Sequence, residues 1–128
     1  MIPERKIRVL LVEDDPALVR TLADILRFAG MKADKALDVP AAFGKLRRGR
    51  YDVAVVDMVL PGPSGVEVIR KLKDSSPATR IIVCTAFYDG QLLFDARELG
   101  VDLVLHKPAD PGVLVGSIKK LAGSSRGR

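Results

Sequence analysis

The chain is poor in cysteine and aromatic residues and contains no long apolar run. Its 128 residues include one cysteine, Cys84, two tyrosines and no tryptophan. A single cysteine excludes an internal disulfide framework and fits a reducing compartment, so we expect a cytoplasmic protein. No apolar stretch approaches the roughly 20 residues of a membrane-spanning helix, and residues 1–6 lack the apolar segment of a signal peptide. We therefore expect no membrane association, and the 48% hydrophobic content can form the core of one domain.

The formal net charge of +5 raises the question of nucleic-acid binding. Surfaces that bind single strands combine positive charge with aromatic rings on which bases stack. Here the basic residues are dispersed along the sequence, and aromatic residues do not alternate with them. We attribute the charge to solvated helix faces and do not expect direct nucleic-acid binding. The main basic groups are Lys45, Arg47, Arg48 and Arg50, then Lys119 and Lys120, then Arg126 and Arg128.

Short apolar runs alternate with helical patterns along the whole chain. The apolar runs predict strands over residues 7–12, 31–37, 52–56, 80–84 and 102–105. The helical patterns predict helices over residues 16–29, 39–48, 64–73, 90–99 and 111–121. Asp15, Asp38 and Asp89 each precede a helical pattern and are placed to cap it.

This alternation predicts the α/β class, as a single flavodoxin-like (βα)5 domain. Right-handed crossovers give a five-stranded parallel sheet with helices on both faces. The charges within residues 31–37 suit an edge strand, which favours the strand order 2-1-3-4-5. We assign residues 1–5 to an N-terminal extension, 6–122 to the domain and 123–128 to a flexible polar tail.

Polar residues follow four of the five predicted strands. Glu13 and Asp14 follow the first, Asp57 the third, Thr85 the fourth and Lys107 the fifth. Because parallel strands end at one edge of the sheet, we expect these side chains to meet there. Clustered carboxylates repel one another unless a cation binds, and Mg²⁺ takes carboxylate and phosphate oxygens, with Mn²⁺ as an alternative. A hydroxyl and an ammonium could contact a phosphate, and an aspartate can itself be the phosphoryl acceptor.

Five segments in this order carry a resemblance to a known family. They are residues 11–16 (LVEDDP), 57–62 (DMVLPG) and 85–86 (TA), then Gly100, then residues 107–108 (KP). Together they resemble the receiver domain of two-component response regulators, and the resemblance extends over residues 6 to 121. It implies a phosphorelay signalling domain, which catalyses only its own Mg²⁺-dependent phosphorylation and dephosphorylation and switches protein–protein interactions.

The resemblance also implies a role for each matching residue. Asp57 is the phosphoryl acceptor, and the donor is a histidine kinase or a histidine phosphotransfer protein. Asp14 binds Mg²⁺ directly together with Asp57, Glu13 acts through water, and Val59 offers its backbone carbonyl. Thr85 and Lys107 contact the phosphoryl group, and the bond between Lys107 and Pro108 is expected to be cis.

The chain departs from the family at positions linked to output. Val104 stands where an aromatic switch residue is usual, and Tyr88 could partly substitute for it. Receivers use the face of the fourth helix, fifth strand and fifth helix for partners or dimers, and Phe94 is expected to point outward there. The apolar Val59 and Phe87 stand where family members control water access, which predicts a long-lived aspartyl phosphate. A stand-alone receiver and a receiver cut from a longer protein both remain open.

Three other functions are weighed against this one. A receiver that serves only as a binding scaffold would not need intact Asp57, Thr85 and Lys107. A phosphatase of the haloacid dehalogenase type would have an aspartate at position 59. A flavodoxin-like electron carrier would need a phosphate-binding loop where Glu13 and Asp14 stand, and these would repel the phosphate of FMN.

Overall fold

Five strands and five helices alternate in the computed structural model of the chain, which describes residues 5–60, 64–86 and 90–123. The elements are β1 (Arg8–Val12), α1 (Pro16–Phe28), β2 (Lys32–Ala36), α2 (Val39–Arg48), β3 (Val53–Val56), α3 (Gly65–Ser75), β4 (Arg80–Thr85), α4 (Gly90–Glu98), β5 (Leu103–His106) and α5 (Pro111–Gly123). This alternation confirms the predicted (βα)5 architecture.

All strand pairs are parallel, and the order β2-β1-β3-β4-β5 is the one predicted. β1 and β3 are adjacent although α1, β2 and α2 separate them along the chain. β2 therefore lies on one side of β1, and the later strands are added on the other side. Val12 at the end of β1 is level with Ala36 in β2 and Val56 in β3. The residues that follow these strands therefore emerge at the same level.

Helix starts are fixed by the capping side chains that the sequence indicates. The carboxylate of Asp15 accepts hydrogen bonds from the backbone N–H groups of Ala17 and Leu18 at the start of α1. Asp38 caps α2 in the same way, through the N–H of Ala41 at 2.8 Å. Each cap satisfies a backbone donor that the first helical turn leaves without a partner.

Two apolar layers cover the sheet, because successive side chains of each central strand point to opposite faces. One layer lies under α2, α3 and α4 and includes Ala54, Val56 and Ala96. The other lies under α1 and α5 and includes Val55 and Cys84. Cys84 is thus a core residue, and burial raises the pKa of its thiol.

The element boundaries differ from the predicted ones by a few residues. α5 continues to Gly123, so the first residue assigned to the flexible tail is helical. The cap at Asp89 and the side chains of Phe87 and Tyr88 lie outside the described residues, as do residues 61–63 and 124–128. Within the described part, no helix is both long and apolar enough to span a bilayer.

Candidate functional site

The backbone of the sheet brings the predicted site residues to the edge where the strands end. Glu13 follows β1, and its N–H donates to the carbonyl of Ala36 at 3.0 Å. Asp57 follows β3, and its N–H donates to the carbonyl of Val12 at 3.0 Å. These bonds extend the sheet ladder by one residue on each strand. Both side chains are therefore positioned by the sheet itself, not by a free loop.

Lys107 connects the two carboxylates. Its ammonium donates to Oε1 of Glu13 and, at 2.9 Å, to Oδ2 of Asp57. Burial disfavours the charged ammonium, but the hydrogen bonds and charges of the two carboxylates outweigh it and raise the pKa of Lys107. For Glu13 the effect of burial is the opposite: burial is the main reason why its pKa is raised, and the hydrogen bond from Lys107 opposes that shift. The ammonium compensates charges that would otherwise be costly to bury.

Both oxygens of Asp57 have defined partners. Oδ2 accepts from Lys107, and Oδ1 accepts from the backbone N–H of Val59 at 3.0 Å. Asp57 is 7% exposed, whereas the Val59 side chain is 43% exposed. The carboxylate is therefore held in one orientation, and an apolar side chain stands beside it at the surface.

Gly65 allows α3 to approach the Asp57 segment closely. A Cβ at position 65 would collide with the backbone of Asp57 and of Met58. The Gly65 N–H donates to the carbonyl of Met58 at 3.1 Å. A larger residue at position 65 would therefore displace the segment that carries the site.

Three carboxylates form a group that could hold a metal ion. Glu13, Asp14 and Asp57 each offer one oxygen, and these oxygens lie within 4.8 Å of one another. Glu13 and Asp57 are buried and Asp14 is exposed, so the group opens to solvent at Asp14. An all-oxygen, carboxylate-rich donor set fits a hard divalent cation such as Mg²⁺.

Asp15 stands apart from this group because its carboxylate caps α1. Its Oδ1 is occupied by the backbone N–H groups of Ala17 and Leu18, while its own N–H donates to Oε2 of Glu13 at 3.1 Å. Its contribution to the site is therefore a backbone bond that orients Glu13.

Thr85 and Lys107 are fixed by the β4–β5 pairing. Thr85 is the last residue of β4 and is 1% exposed. The Lys107 N–H donates to the Thr85 carbonyl at 2.9 Å, just past the register pair Thr85 and His106. The peptide bond between Lys107 and Pro108 is cis. His106 itself is exposed.

Among the described residues, one large apolar side chain of α4 and one of α5 are exposed. Phe94 is 57% exposed and Val113 is 53% exposed, and the outward position of Phe94 was predicted. Leu92 and Leu99 pack against the core, and so does Val104. Among the described residues of the α4–β5–α5 face, the side chains that pack against the core are aliphatic, and the ring of Phe94 is exposed.

Two aspartates at the opposite edge of the sheet have roles that the sequence did not reveal. Asp52 accepts from the backbone N–H of Arg8 at 2.8 Å, and Asp102 accepts from that of Ile81 at 2.8 Å. Each also binds an arginine, Asp52 to Arg5 and Asp102 to Arg80, both at 2.8 Å. An aspartate before a strand is also typical of a turn, so the sequence does not indicate these hydrogen bonds. The backbone groups that Asp52 and Asp102 bind lie on neighbouring strands and are known only once the strand order is known.

Comparison with known proteins gives one consistent family. The family described as "Response regulator receiver domain" matches residues 9–119. Transcriptional regulatory protein CutR of Streptomyces coelicolor is 34% identical over 114 residues, which are 89% of this chain and 52% of that protein. A receiver domain protein (CheY-like) from Methanospirillum hungatei superposes with a TM-score of 0.90 at 25% identity, covering 94% of this chain and 96% of that chain.

A third similar protein was solved with a metal ion. Response regulator TrrA of Thermotoga maritima, in complex with Mg²⁺-BeF, superposes with a TM-score of 0.80 at 28% identity. The superposition covers 90% of this chain and 98% of the TrrA chain. The chain spans about half the length of the curated relative CutR. The activity of such a longer protein is therefore not transferred to this chain.

Proposed function

The chain belongs to the response regulator receiver domain family, a family of two-component signalling, and on that premise we propose that Asp57 is its phosphoryl acceptor. The donor would be the phosphohistidine of a histidine kinase or of a histidine phosphotransfer protein. One oxygen of Asp57 forms a bond to phosphorus while the bond from phosphorus to the histidine nitrogen breaks. The electron pair of that bond stays on the imidazole, and the aspartyl phosphate then switches protein–protein interactions.

The observation that carries the proposal is the fixed position of Asp57. Its carboxylate lies at the switch point of the sheet, oriented by the Val59 N–H and compensated by the Lys107 ammonium. Phosphoryl transfer needs mainly positioning and charge neutralisation, and these contacts supply both.

The surrounding residues have distinct roles in this proposal. Lys107 remains close enough to Asp57 to contact a phosphoryl oxygen, and Thr85 at the end of β4 offers its hydroxyl. Glu13, Asp14 and Asp57, with the backbone carbonyl of Val59, would hold Mg²⁺. When bound, Mg²⁺ supplies positive charge that neutralises the transferred group.

In this proposal the chain transfers a phosphoryl group to itself and not to a separate substrate, so its role is that of a signalling domain. We also propose that it is located in the cytoplasm. The α4–β5–α5 face, with Phe94 exposed, is the surface proposed for a partner or a second copy of the chain. The structure supports this through an aromatic side chain that the core does not need, and aromatic residues are enriched among interface anchors.

The test of the acceptor is phosphorylation by a small phosphodonor such as acetyl phosphate in the presence of Mg²⁺. Intact mass should show one added phosphoryl group, and peptide mapping should place it on Asp57. Asp57→Asn should abolish the labelling, whereas Asp15→Asn, which keeps a capping residue at α1, should retain it. Undiminished labelling of Asp57→Asn would contradict the assignment.

A further inference from the structure

Arginines that are dispersed in the sequence meet at the amino-terminal edge of the sheet, opposite the phosphorylation site. Two adjoining clefts open there. One, of about 270 Å³, is lined in part by Arg5, Arg50 and Arg80. The other, of about 350 Å³, is lined in part by Arg48 and Arg50. Because Arg50 lines both, we treat them as one feature and call it the basic cleft.

Two of these arginines are held in place by carboxylates. Arg5 pairs with Asp52 at 2.8 Å, and Arg80 pairs with Asp102 at 2.8 Å. Both aspartates also accept a backbone N–H bond from the start of a strand, so they cannot turn away without breaking it. Arg80, whose side chain is 18% exposed, is therefore held at the wall of the basic cleft, whereas Arg5 is 74% exposed and its partner Asp52 also lines the cleft.

The remaining arginines give the basic cleft a surplus of positive charge. Arg47, Arg48 and Arg50 form no ion pair with any carboxylate of the described residues. The carboxyl ends of α2, α3 and α5 line the basic cleft and contribute roughly half a negative charge each. Three unpaired guanidinium groups carry more positive charge than these helix ends can neutralise. Positive charge therefore remains in the basic cleft.

The polar groups that line the basic cleft favour an anionic ligand over a neutral one. The Thr79 hydroxyl donates its proton to the carbonyl of Tyr51 at 2.8 Å. Ser76 lies 2.7 Å from the same hydroxyl oxygen and must therefore be the donor in that pair. Neither hydroxyl has a proton left for a ligand, and the Ser75 hydroxyl donates to the carbonyl of Lys71. The guanidinium groups are therefore the main side-chain donors among the described lining residues. Their planar fork matches phosphate oxygens.

The described lining of the basic cleft has no aromatic surface on which a base could stack. Tyr51 lines the basic cleft, but it is 6% exposed and its hydroxyl donates to Asp34 at 2.6 Å. The guanidinium of Arg8 lies 5.4 Å from the centre of its ring. A single-stranded nucleic acid would find no free ring among the described residues that line the basic cleft, in contrast to the usual stacking platform.

We propose that the basic cleft binds a small molecule that carries two or more linked phosphate groups. The combined volume falls within the range of small-ligand sites, about 300–1,000 Å³. β4 begins at Arg80 beside the basic cleft and ends at Thr85 in the phosphorylation site. Its six residues span about 17 Å, so one ligand would not reach both sites.

Isothermal titration calorimetry with inorganic pyrophosphate and with ATP, in EDTA, tests this proposal. EDTA removes divalent cations, so the acidic pocket around Asp57 repels both probes. We expect one equivalent of each probe to bind. Arg50→Ser should weaken binding by at least about tenfold, because it removes a charged donor. Arg20→Ser, an equal charge change at an exposed position of α1, should leave binding within about twofold.

The outcomes separate this proposal from the function of Asp57. Asp57→Asn should bind pyrophosphate as well as the natural chain does, and amide signals of Ser76 and Arg80 should shift on titration. Circular dichroism of Arg50→Ser should match the natural chain, since Arg50 is exposed. An absence of binding at about 1 mM probe, or equal weakening by Arg20→Ser, would overturn the proposal. Binding of an RNA or DNA oligonucleotide in place of both small probes would overturn it as well.

Discussion

The ammonium of Lys107 lies 2.9 Å from Oδ2 of Asp57 and also binds Glu13, so one cation compensates two buried carboxylates from different strands. Asp14 has no part in this ammonium pairing and remains exposed beside Glu13 and Asp57. The pocket thus contains more negative than positive charge. That imbalance determines how it should respond to a divalent cation.

Mg²⁺ should raise the thermal stability of the folded chain, because it binds the clustered carboxylates and relieves their repulsion. At a Mg²⁺ concentration of 100 times Kd the gain should be about 2.7 kcal/mol. Asp14→Ala should remove the shift, and it should raise the melting temperature in EDTA because one repelling charge is gone. Differential scanning calorimetry with and without Mg²⁺ measures both effects.

Asp24→Ala is the matched control for this experiment. Asp24 is an exposed aspartate of α1 outside the acidic group, so its replacement should leave the Mg²⁺ shift intact. An equal shift in Asp14→Ala and in the natural chain would mean that the metal binds elsewhere.

Tyr51 should make stability depend on alkaline pH. Burial and the hydrogen bond to Asp34 raise the pKa of its hydroxyl above the ordinary value. The folded chain therefore holds this proton more tightly than the unfolded chain. The resulting stabilisation is complete below the unfolded pKa, about 10, and is lost as pH rises through the folded pKa.

Tyr51→Phe is the measurement that isolates this effect. Its free energy of unfolding in urea should fall below that of the natural chain by about 1–2 kcal/mol at pH 8, because a buried hydrogen bond is lost. The difference should shrink at pH 11. A difference that stays constant across this range would show that Tyr51 does not titrate as described.

Val59 should control how long the phosphoryl group stays on Asp57. Its side chain is 43% exposed beside the carboxylate and cannot orient an attacking water. In Val59→Asn the amide can position water but cannot take its proton, so hydrolysis should accelerate by about tenfold, less than the gain from a general base. Val59→Leu should keep the slow rate. Mass spectra taken over time after removal of the donor give the rates, and equal rates in all three chains would exclude this role.

The sequence predicts a structural feature well when the residues that produce it are neighbours along the chain. The caps at Asp15 and Asp38 and the edge position of β2 follow from neighbouring residues, and the structure confirms them. The common strand edge was predictable too, since parallel strands end together. The bond from Lys107 to Glu13 joins positions 94 residues apart, and no periodicity specifies which carboxylate an ammonium binds.

The arginines of the basic cleft show the same limit. Arg5, Arg50 and Arg80 belong to separate segments, and along the sequence their charges are dispersed. Only the strand order β1-β3-β4 brings the starts of those segments side by side. The interpretation of the charge as solvated helix faces is therefore incomplete, because it counts neighbours in sequence and not neighbours at the edge of the sheet.

Phe94 should be a contact of the phosphorylated chain with a partner or with a second copy of itself. Within α4, Ala96 is buried and Leu92 packs against the core, so the helix is anchored without Phe94, which is 57% exposed. Phe94→Ser should therefore leave folding and Asp57 phosphorylation intact. It should weaken phosphorylation-dependent association by more than about tenfold, as loss of an aromatic anchor does.

Phe28→Ser is the matched control, since Phe28 is 96% exposed on α1, away from that face. Sedimentation velocity and pull-down with phosphorylated protein measure the effect. If the profiles of Phe94→Ser and the natural chain coincide, α4 does not use this ring and the interaction surface lies elsewhere.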